Sequence, residues 1–318
     1  MKKVMIKIPH RISGFFEIVD EFDGMKISDP ERIGSRGAGF NLNSFGITEI
    51  RLEEVNDSGN LNHEIYINKE LLNERAETSY YILKYCLKLN KGLDGHKIKI
   101  FHDFDLPVGC GFGASGSGAL GCVYGLNYIL NLNLQLSDLG RIAHIAEVIN
   151  RTGLGTVCGQ LGGGLSILLE PGYPCSYEKI KPPNDLIVIC GSFGTIHTKS
   201  ILNDPKLNVM IKNAGRKALS NLLKNPNLKN FTKLSYKFVK ESRILKILNL
   251  SEIEELLYDL NKLNIIGASM NQLGRSVFIF CDKDSENEVQ DLLTSYKPNL
   301  KTFKSSINES DKILIKRM

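Results

Sequence analysis

The chain has 318 residues, of which 42% are hydrophobic and 24% are charged, and its formal net charge is +5. This length allows one large domain or two medium ones, and the composition is that of a globular protein with a sizeable core. The 40 basic residues are nearly balanced by 35 acidic ones, so charge does not predict nucleic-acid binding, and the lysines near the C-terminus are expected to form a solvated face.

Cysteine usage and the N-terminus predict a cytoplasmic protein. The 7 cysteines are scattered and form no C-x-x-C pair, so we expect reduced intracellular thiols, with neither a disulfide framework nor a zinc site. The first residues contain no continuous apolar segment of signal length. Residues 106–137 carry no charge, but seven glycines interrupt them. We therefore expect a buried helix there and no membrane span.

Strands and helices are predicted to alternate in the first half of the chain. Alternating apolar residues or apolar faces define them. The predicted strands are 4–8, 47–55, 64–68, 98–104 and 165–169, and the predicted helices are 71–89, 119–130 and one that begins after Ser137 as N-cap. A turn is expected at 56–60.

Pro182 and Pro183 mark the expected boundary between a domain at 1–181 and a domain at 182–318. The predicted strands of the second domain are 186–190, 277–281 and 313–315, and its first predicted helices are 206–224 and 228–240. Capping boxes at 251–254 and 285–288 predict two further helices. This order indicates an α+β half with helices on one face of a sheet.

The most informative segment is 107–118, between the predicted strand 98–104 and the predicted helix 119–130. It contains five glycines, two serines and no charged residue. A glycine-rich turn that leads into a helix N-terminus can hold phosphate, because unpaired backbone N–H groups and the helix dipole both face the anion. The serine hydroxyls could reach a phosphate oxygen or a metal ion.

Other interpretations of this loop fit less well. Gly111, Gly113 and Gly116 match G-x-G-x-x-G, but the first acidic residue that follows, Asp138, comes too late for a dinucleotide fold. The Walker pattern would require lysine where Ser117 stands. A loop that only packs is the structural alternative, and the two serines at the helix start argue against it.

Three segments in order resemble the motifs of the GHMP kinases. Ile8–Glu17 is similar to the first motif, Pro107–Ala119 to the second and Gly267–Gly274 to the third. The resemblance implies an α+β, two-domain GHMP kinase fold, with a ribosomal S5 domain 2-like N-terminal half and a ferredoxin-like α+β C-terminal half. It also implies ATP and Mg²⁺ as cofactors.

Three further segments resemble one particular family within the GHMP kinases. Ile12–Ile18, Gly34–Leu42 and Ala146–Gly155 resemble the archaeal pantoate kinases of coenzyme A synthesis, which phosphorylate the 4-hydroxyl of (R)-pantoate. The implied partners are pantoate and ATP, and a homodimer is left open. Another small-alcohol kinase, acting on homoserine, shikimate or mevalonate, is the alternative enzyme. A nucleotide-binding regulator without turnover is the alternative from another class.

The resemblance assigns the ATP phosphates to the glycine-rich loop. The implied contacts are Pro107, Gly109, Gly111, Gly113, Ala114, Ser115, Gly116, Ser117 and Gly118. Ser117 and Glu147 are the implied Mg²⁺ ligands and, with Thr156, the implied catalytic residues. From spacing alone, Glu147 could instead belong to a solvated helix stripe with His144 and Arg151.

Pantoate carries a carboxylate, and arginine is the preferred partner for a buried carboxylate because its charge is permanent and its donors are forked. Arg36 is the candidate, since it stands between glycines and serine. His10, Arg11, Ser13 and Ser35 are the candidate neighbours. Arg11 could equally be a structural ion-pair partner.

Thr156 departs from the family pattern. Many GHMP kinases carry aspartate at this point of the glycine-rich segment, where it accepts or orients the proton of the attacking hydroxyl. Threonine cannot act as a base near neutral pH. Because a loose, metaphosphate-like transition state asks little of the nucleophile, we expect an active enzyme in which Thr156 only orients pantoate.

Overall fold

The computed structural model describes residues 2–54, 62–90, 96–196 and 204–317. The strands are β1 (Lys2–Val19), β2 (Glu21–Phe22), β3 (Met25–Lys26), β4 (Gly34–Glu54), β5 (Asn62–Ile67), β6 (Glu70–Leu71), β7 (His96–Phe104), β8 (Leu165–Leu168), β9 (Tyr177–Ile180), β10 (Ile187–Ser192), β11 (Gly267–Met270), β12 (Ser276–Cys281), β13 (Lys301–Ser305) and β14 (Leu314–Arg317). The helices are α1 (Glu77–Leu89), α2 (Ala114–Ile129), α3 (Leu136–Asn150), α4 (Thr156–Gly162), α5 (Pro205–Lys224), α6 (Leu228–Ser242), α7 (Ile244–Ile247), α8 (Ser251–Leu260) and α9 (Glu286–Ser295).

The larger sheet is built on two long strands, β1 and β4. Its order is β14-β1-β4-β7-β5-β6, and β8 and β9 extend it from the first part of β4. The ladder between β1 and β4 is antiparallel and is irregular at Pro9/Arg11 and at Ser13/Phe15. Such bulges bend a strand and redirect its side chains.

Helices α1, α2 and α3 cover one part of this sheet, and α2 lies closest to it. A Cβ at Gly121 would lie 2.1 Å from Thr48 Oγ1 on β4, so only glycine permits this approach. Buried residues of the strands and of the three helices, among them Ile50, Ile100 and Leu120, form one hydrophobic core.

The smaller sheet is antiparallel throughout, with the order β11-β12-β10-β13. A second core joins it to the larger sheet, because Phe15 and Phe40 of β1 and β4 pack with Phe231 of α6 and with Phe278 and Phe280 of β12. The last strand, β14, pairs with β1 in the larger sheet. The division at residues 181 and 182 stays a prediction.

The observed elements correct several local expectations. β1 and β4 are longer than the predicted strands 4–8 and 47–55, and α2 begins at Ala114, within the glycine-rich segment. The N-cap of α3 is Gln135, and Ser251 is the first residue of α8, so neither Ser137 nor Ser251 caps a helix with its side chain. The predicted turn at 56–60 lies outside the described residues.

The expectation of only reduced thiols is wrong for one pair. Cys158 and Cys175 form a disulfide across a sequence separation of 17 residues. The pairing depends on the tertiary position of α4 beside the loop that follows β8, which the scattered cysteine pattern does not reveal. None of the described helices combines the length and the apolar character that crossing a bilayer requires.

Candidate active site

The loop between β7 and α2 turns sharply and opens a helix. Gly109, Gly111 and Gly113 have φ angles of 76°, 81° and 69°, and Gly113 is the N-cap of α2 without a side-chain cap. Positive φ is costly for residues with a Cβ, so the glycines are required by this backbone. Because α2 begins at Ala114 and the Ser117 N–H already bonds to the Gly113 carbonyl, residues 114–116 supply the first-turn N–H groups that an anion can meet.

This loop borders a cavity of about 330 Å³. The cavity brings together residues that lie far apart in the sequence. Those predicted for the site that line it are Arg11, Ser13, Ser35, Arg36, Gly109, Gly111, Gly113, Ala114, Ser115 and Thr156. His10, Pro107, Gly116, Ser117, Gly118 and Glu147 are not among the lining residues.

The two serines of the loop face different surroundings. Ser115 lines the cavity, and its hydroxyl donates a hydrogen bond to Glu147 Oε1 at 2.6 Å. The Ser117 hydroxyl instead donates to the Ala114 carbonyl at 3.1 Å. A Cβ at Gly46 on β4 would lie 2.6 Å from Ser117 Oγ, so this hydroxyl points toward the sheet and away from the cavity.

Glu147 is a buried carboxylate at the end of α3. It is 1% exposed, and no ion pair to it is found in the described part of the chain. Burial raises the pKa of Glu147 to about 7, although hydrogen bonds from Ser115 and from the Val157 backbone oppose the shift. The solvated-stripe alternative for Glu147 is therefore wrong, because the side chain is enclosed beside Ser115.

The pair of Ser115 and Glu147 fits a magnesium ion bound together with phosphates. No group of three or more His, Cys, Asp or Glu side chains with metal-site geometry occurs among the residues that the structure describes. Mg²⁺ does not require one, since it commonly takes one or two carboxylates and completes its shell with water and substrate phosphates. A buried carboxylate without a cationic partner matches that chemistry.

Arg11 is a buried cation at the cavity. Its Nη1 donates to Asn41 Oδ1 at 3.3 Å, the Gly159 carbonyl at 3.1 Å and Ser166 Oγ at 3.1 Å. These acceptors are neutral, and no described carboxylate pairs with Arg11, so the ion-pair alternative is not what the structure contains. Burial lowers the pKa of Arg11 to about 9, and the guanidinium remains charged near neutral pH.

Arg36 lines the cavity and is held by an acidic residue that sequence analysis did not single out. Its Nε donates to Glu17 Oε2 at 2.7 Å. Glu17 also accepts from Nε of Arg216 on α5 at 2.8 Å. Glu17 is buried, whereas the side chain of Arg36 is 33% exposed. The bond to buried Glu17 therefore holds the Arg36 guanidinium in place at the cavity.

His10 lies beneath the glycine-rich loop. Its Nδ1 bonds to the Phe112 carbonyl at 2.9 Å, and its Nε2 accepts from the Leu106 N–H at 3.4 Å. Burial lowers the pKa of His10 to about 4, so the ring is neutral. Both ring nitrogens are used by backbone groups, which explains why His10 supports the loop and does not reach the cavity.

Thr156 begins α4 and faces the glycine-rich loop. A Cβ at Gly113 would lie 3.0 Å from Thr156 Cγ2, so the two residues are neighbours in the lining of the cavity. None of the described residues that line the cavity is aspartate or glutamate. The lining thus contains no carboxylate that could replace the aspartate expected at position 156.

Several cavity residues were missed by the sequence analysis. Phe15, Phe16, Leu154 and Leu168 give the cavity an apolar wall, and Gln272 belongs to the segment that resembles the third motif. The Gln272 amide nitrogen donates to the Gly14 carbonyl at 3.0 Å. The sequence pattern did not identify the apolar residues, because a phenylalanine or leucine that lines a ligand site has the same local pattern as one in a hydrophobic core.

Comparisons with known proteins give the family of this fold and site. A profile of the GHMP kinases N terminal domain matches residues 80–164. The pantoate kinase of Methanocaldococcus jannaschii is 33% identical over 285 residues, which cover 90% of this chain and 95% of that protein. The pantoate kinase of Thermococcus kodakarensis is 29% identical and covers 90% of each chain.

A solved structure extends the similarity to three dimensions. It is described as a phosphotransferase related to the CoA biosynthesis pathway, is 27% identical, and superposes with a TM-score of 0.85 over 99% of both chains. The α+β architecture and the matched domain confirm the expected GHMP kinase fold. By fold and by sequence, the chain belongs to the pantoate kinase family of the GHMP kinases.

Proposed function

We propose that this protein transfers the γ-phosphoryl group of ATP to the 4-hydroxyl of (R)-pantoate, producing ADP and 4-phosphopantoate for coenzyme A biosynthesis. One observation carries the proposal. One cavity is lined both by the glycine-rich loop, to which we assign the ATP phosphates and which we call the phosphate loop, and by Arg36, whose guanidinium suits a carboxylate. This supports the proposal in a chain that belongs to the pantoate kinase family.

The ATP phosphates are assigned to the loop and to the first turn of α2. Gly109, Gly111 and Gly113 let the backbone approach an anion closely, and the N–H groups after Gly113 point from a helix start. Backbone donors of this kind are fixed before the ligand arrives, so they stabilise phosphate charge without reorganisation.

Ser115 and Glu147 would hold a magnesium ion, which supplies charge neutralisation on the phosphates when bound. We assign to Ser115 the role that the sequence expectation gave to Ser117, because Ser115 reaches both the cavity and Glu147. Burial raises the pKa of Glu147 to about 7, and a cation beside the carboxyl group would lower this pKa and favour the ionised carboxylate.

The acceptor is assigned to the side of the cavity that Arg36 borders. Its guanidinium would bind the carboxylate of pantoate, and Ser13 and Ser35 offer hydroxyls nearby. Phe15, Phe16, Leu154 and Leu168 form an apolar wall, which suits the two methyl groups of pantoate. A smaller and more polar alcohol would leave that wall exposed to water.

The chemical step forms one bond and breaks another. The 4-hydroxyl oxygen bonds to the γ-phosphorus while the bond from that phosphorus to the β–γ bridging oxygen breaks, and the hydroxyl proton leaves to water or phosphate. Phosphoryl transfer depends mainly on positioning and charge stabilisation. Thr156 would orient the hydroxyl, and the buried charge of Arg11 would favour the anionic reacting group.

The decisive experiment measures ADP release with pantoate, homoserine, shikimate, mevalonate and galactose as acceptors. We expect turnover with pantoate, and the product can be identified by mass. Turnover with another alcohol and not with pantoate would contradict the substrate assignment. ATP binding without turnover of any acceptor would favour a nucleotide-binding regulator.

A variant pair tests the carboxylate assignment. Arg36→Ala is expected to raise KM for pantoate on the order of 10²-fold, because a charge-assisted bidentate contact is lost. Arg32→Ala is the matched control, since Arg32 is exposed and lies outside the cavity. Equal KM values for the two variants would remove Arg36 from the acceptor site.

A further inference from the structure

We propose that Glu17 is a positioning residue that aims Arg36 at the carboxylate of the acceptor. This inference rests on the proposed function. Glu17 does not line the cavity, so it would act on the acceptor only through the arginine that it holds.

The strand register places the two residues side by side. Glu17 on β1 is the Cα partner of Arg36 on β4 in an antiparallel ladder. Their backbones are therefore fixed relative to each other by the sheet, and the side chains meet through the 2.7 Å bond from Arg36 Nε to Glu17 Oε2. Adjacent residues across a ladder are well placed for such pairs.

Glu17 uses both of its oxygens to hold arginines. Oε2 accepts from Arg36 and Oε1 accepts from Arg216, and the residue is 1% exposed. A buried carboxylate is stable only when it is paired and hydrogen-bonded. The second bond comes from α5, so a helix of the second half of the chain helps to anchor a residue of the acceptor site.

The charges around Glu17 do not cancel. Two guanidinium groups surround one carboxylate, which leaves one positive charge in excess, and only Arg36 of these three residues lines the cavity. The excess charge is what an acceptor carboxylate would neutralise. A fully neutral pair at this place would have offered no such driving force.

The orientation of Arg36 also leaves its terminal nitrogens for a ligand. Glu17 engages Nε, and no other hydrogen bond of Arg36 is found in the described ranges. A guanidinium whose rotamer is already fixed loses less conformational freedom on binding. Supporting contacts of this kind commonly decide the precision of a binding residue.

Steady-state kinetics of Glu17→Gln test the proposal. This change keeps the size of the side chain and removes its charge. We expect KM for pantoate to rise on the order of 10-fold, the equivalent of one charge-assisted hydrogen bond. We expect kcat and KM for ATP to stay within roughly 2-fold, because Glu17 is remote from the phosphate loop. Glu49→Gln, which also breaks a strand ion pair, is the matched control.

A double-mutant cycle separates positioning from a general structural role. If Glu17 acts through Arg36, Glu17→Gln combined with Arg36→Ala raises KM no more than Arg36→Ala alone. Independent, additive effects would overturn the proposal. Pantoamide, in which an uncharged amide replaces the carboxylate, provides a second readout, and its KM should not respond to Glu17→Gln.

The outcomes also distinguish this inference from the proposed function. If the wild-type protein does not phosphorylate pantoate, the proposed function fails. If it does and Glu17→Gln leaves KM for pantoate unchanged, only the role of Glu17 fails. Should Glu17→Gln not fold, Glu17→Asp keeps the charge but shortens the side chain. A rise in KM for pantoate with unchanged KM for ATP then supports positioning, and an equal rise in both overturns it.

Discussion

The two sides of the cavity are built in different ways. The side that we propose for the ATP phosphates, the phosphate-loop side, consists of backbone groups of consecutive residues, with glycines at positive φ and the start of α2. The side that we propose for pantoate, the acceptor side, consists of side chains from β1, β4 and the segment before α4, and Arg36 is held there by a glutamate that also binds α5.

Because of this difference, we expect substitutions on the two sides of the cavity to have different consequences. A phosphate site made of backbone groups depends on the local conformation of the loop, so a substitution in the loop alters the backbone that would bind phosphate. An acceptor side made of side chains can alter its ligand by exchanging single residues while the backbone stays.

The largest effect, and the strongest test of the contrast between the backbone-built side and the side-chain-built side, is expected for Gly113→Val. The new Cβ would lie 2.9 Å from the Arg11 carbonyl oxygen, at a residue whose φ is 69°. We expect ATP affinity to fall on the order of 10²-fold or more, because the backbone cradle must shift. Isothermal titration with ATP measures the loss.

The matched control for Gly113→Val is Gly24→Val. Gly24 has a similar φ of 77°, but nothing lies within 4 Å of an added Cβ. This variant carries the backbone strain without the crowding, so its ATP affinity should remain that of the wild type. Unchanged ATP affinity in a folded Gly113→Val protein would show that the loop does not cradle phosphate.

The second prediction asks which serine serves the phosphate-loop side. Ser115→Ala should lower kcat on the order of 10²-fold, since it removes the hydroxyl that faces the cavity and Glu147. Ser117→Ala should change kcat by less than about 3-fold, because its hydroxyl only bonds helix carbonyls. The reverse order of effects would return the role to Ser117.

The third prediction concerns stability and the raised pKa of Glu147, about 7. As pH rises from about 4.5, the unfolded chain loses this proton first, while the folded protein keeps it until about pH 7. The metal-free protein should therefore lose stability across that window, on the order of 3 kcal/mol, and change little above it.

Glu147→Gln provides the comparison for this pH dependence. Denaturant unfolding between pH 5 and pH 8 should show the wild type declining relative to the variant, because glutamine does not titrate. Parallel curves for the two proteins would mean that Glu147 is not held in a desolvated place.

A more modest loss of kcat is expected at Thr156, which lies between the two sides of the cavity. Thr156→Val should lower kcat by roughly 10-fold through loss of an orienting hydrogen bond. Thr156→Asp should retain or improve turnover, because a carboxylate at this point can accept the hydroxyl proton. Single-turnover assays separate this step from product release, and full activity of Thr156→Val would remove Thr156 from the site.

Part of the candidate site could be predicted from the sequence. The phosphate loop, the strand before it and the helix after it were predicted, because glycine spacing and apolar periodicity are local signals. The metal role was assigned to Ser117 from the family resemblance, and the apolar run that predicts the helix starts only at residue 119. The observed start at Ala114 changes which side chains of the first turn face outward.

The sequence by itself determined the glycine-rich loop between a strand and a helix, the α+β class and the family resemblance, because each depends on residues that are close in the chain or on motifs in a fixed order. Only the tertiary structure decided that Glu147 is buried beside Ser115, that Cys158 meets Cys175, and that Glu17 holds Arg36. Those facts depend on helix rotation, strand register and packing between distant segments. Such quantities are settled by the whole fold and leave no local pattern.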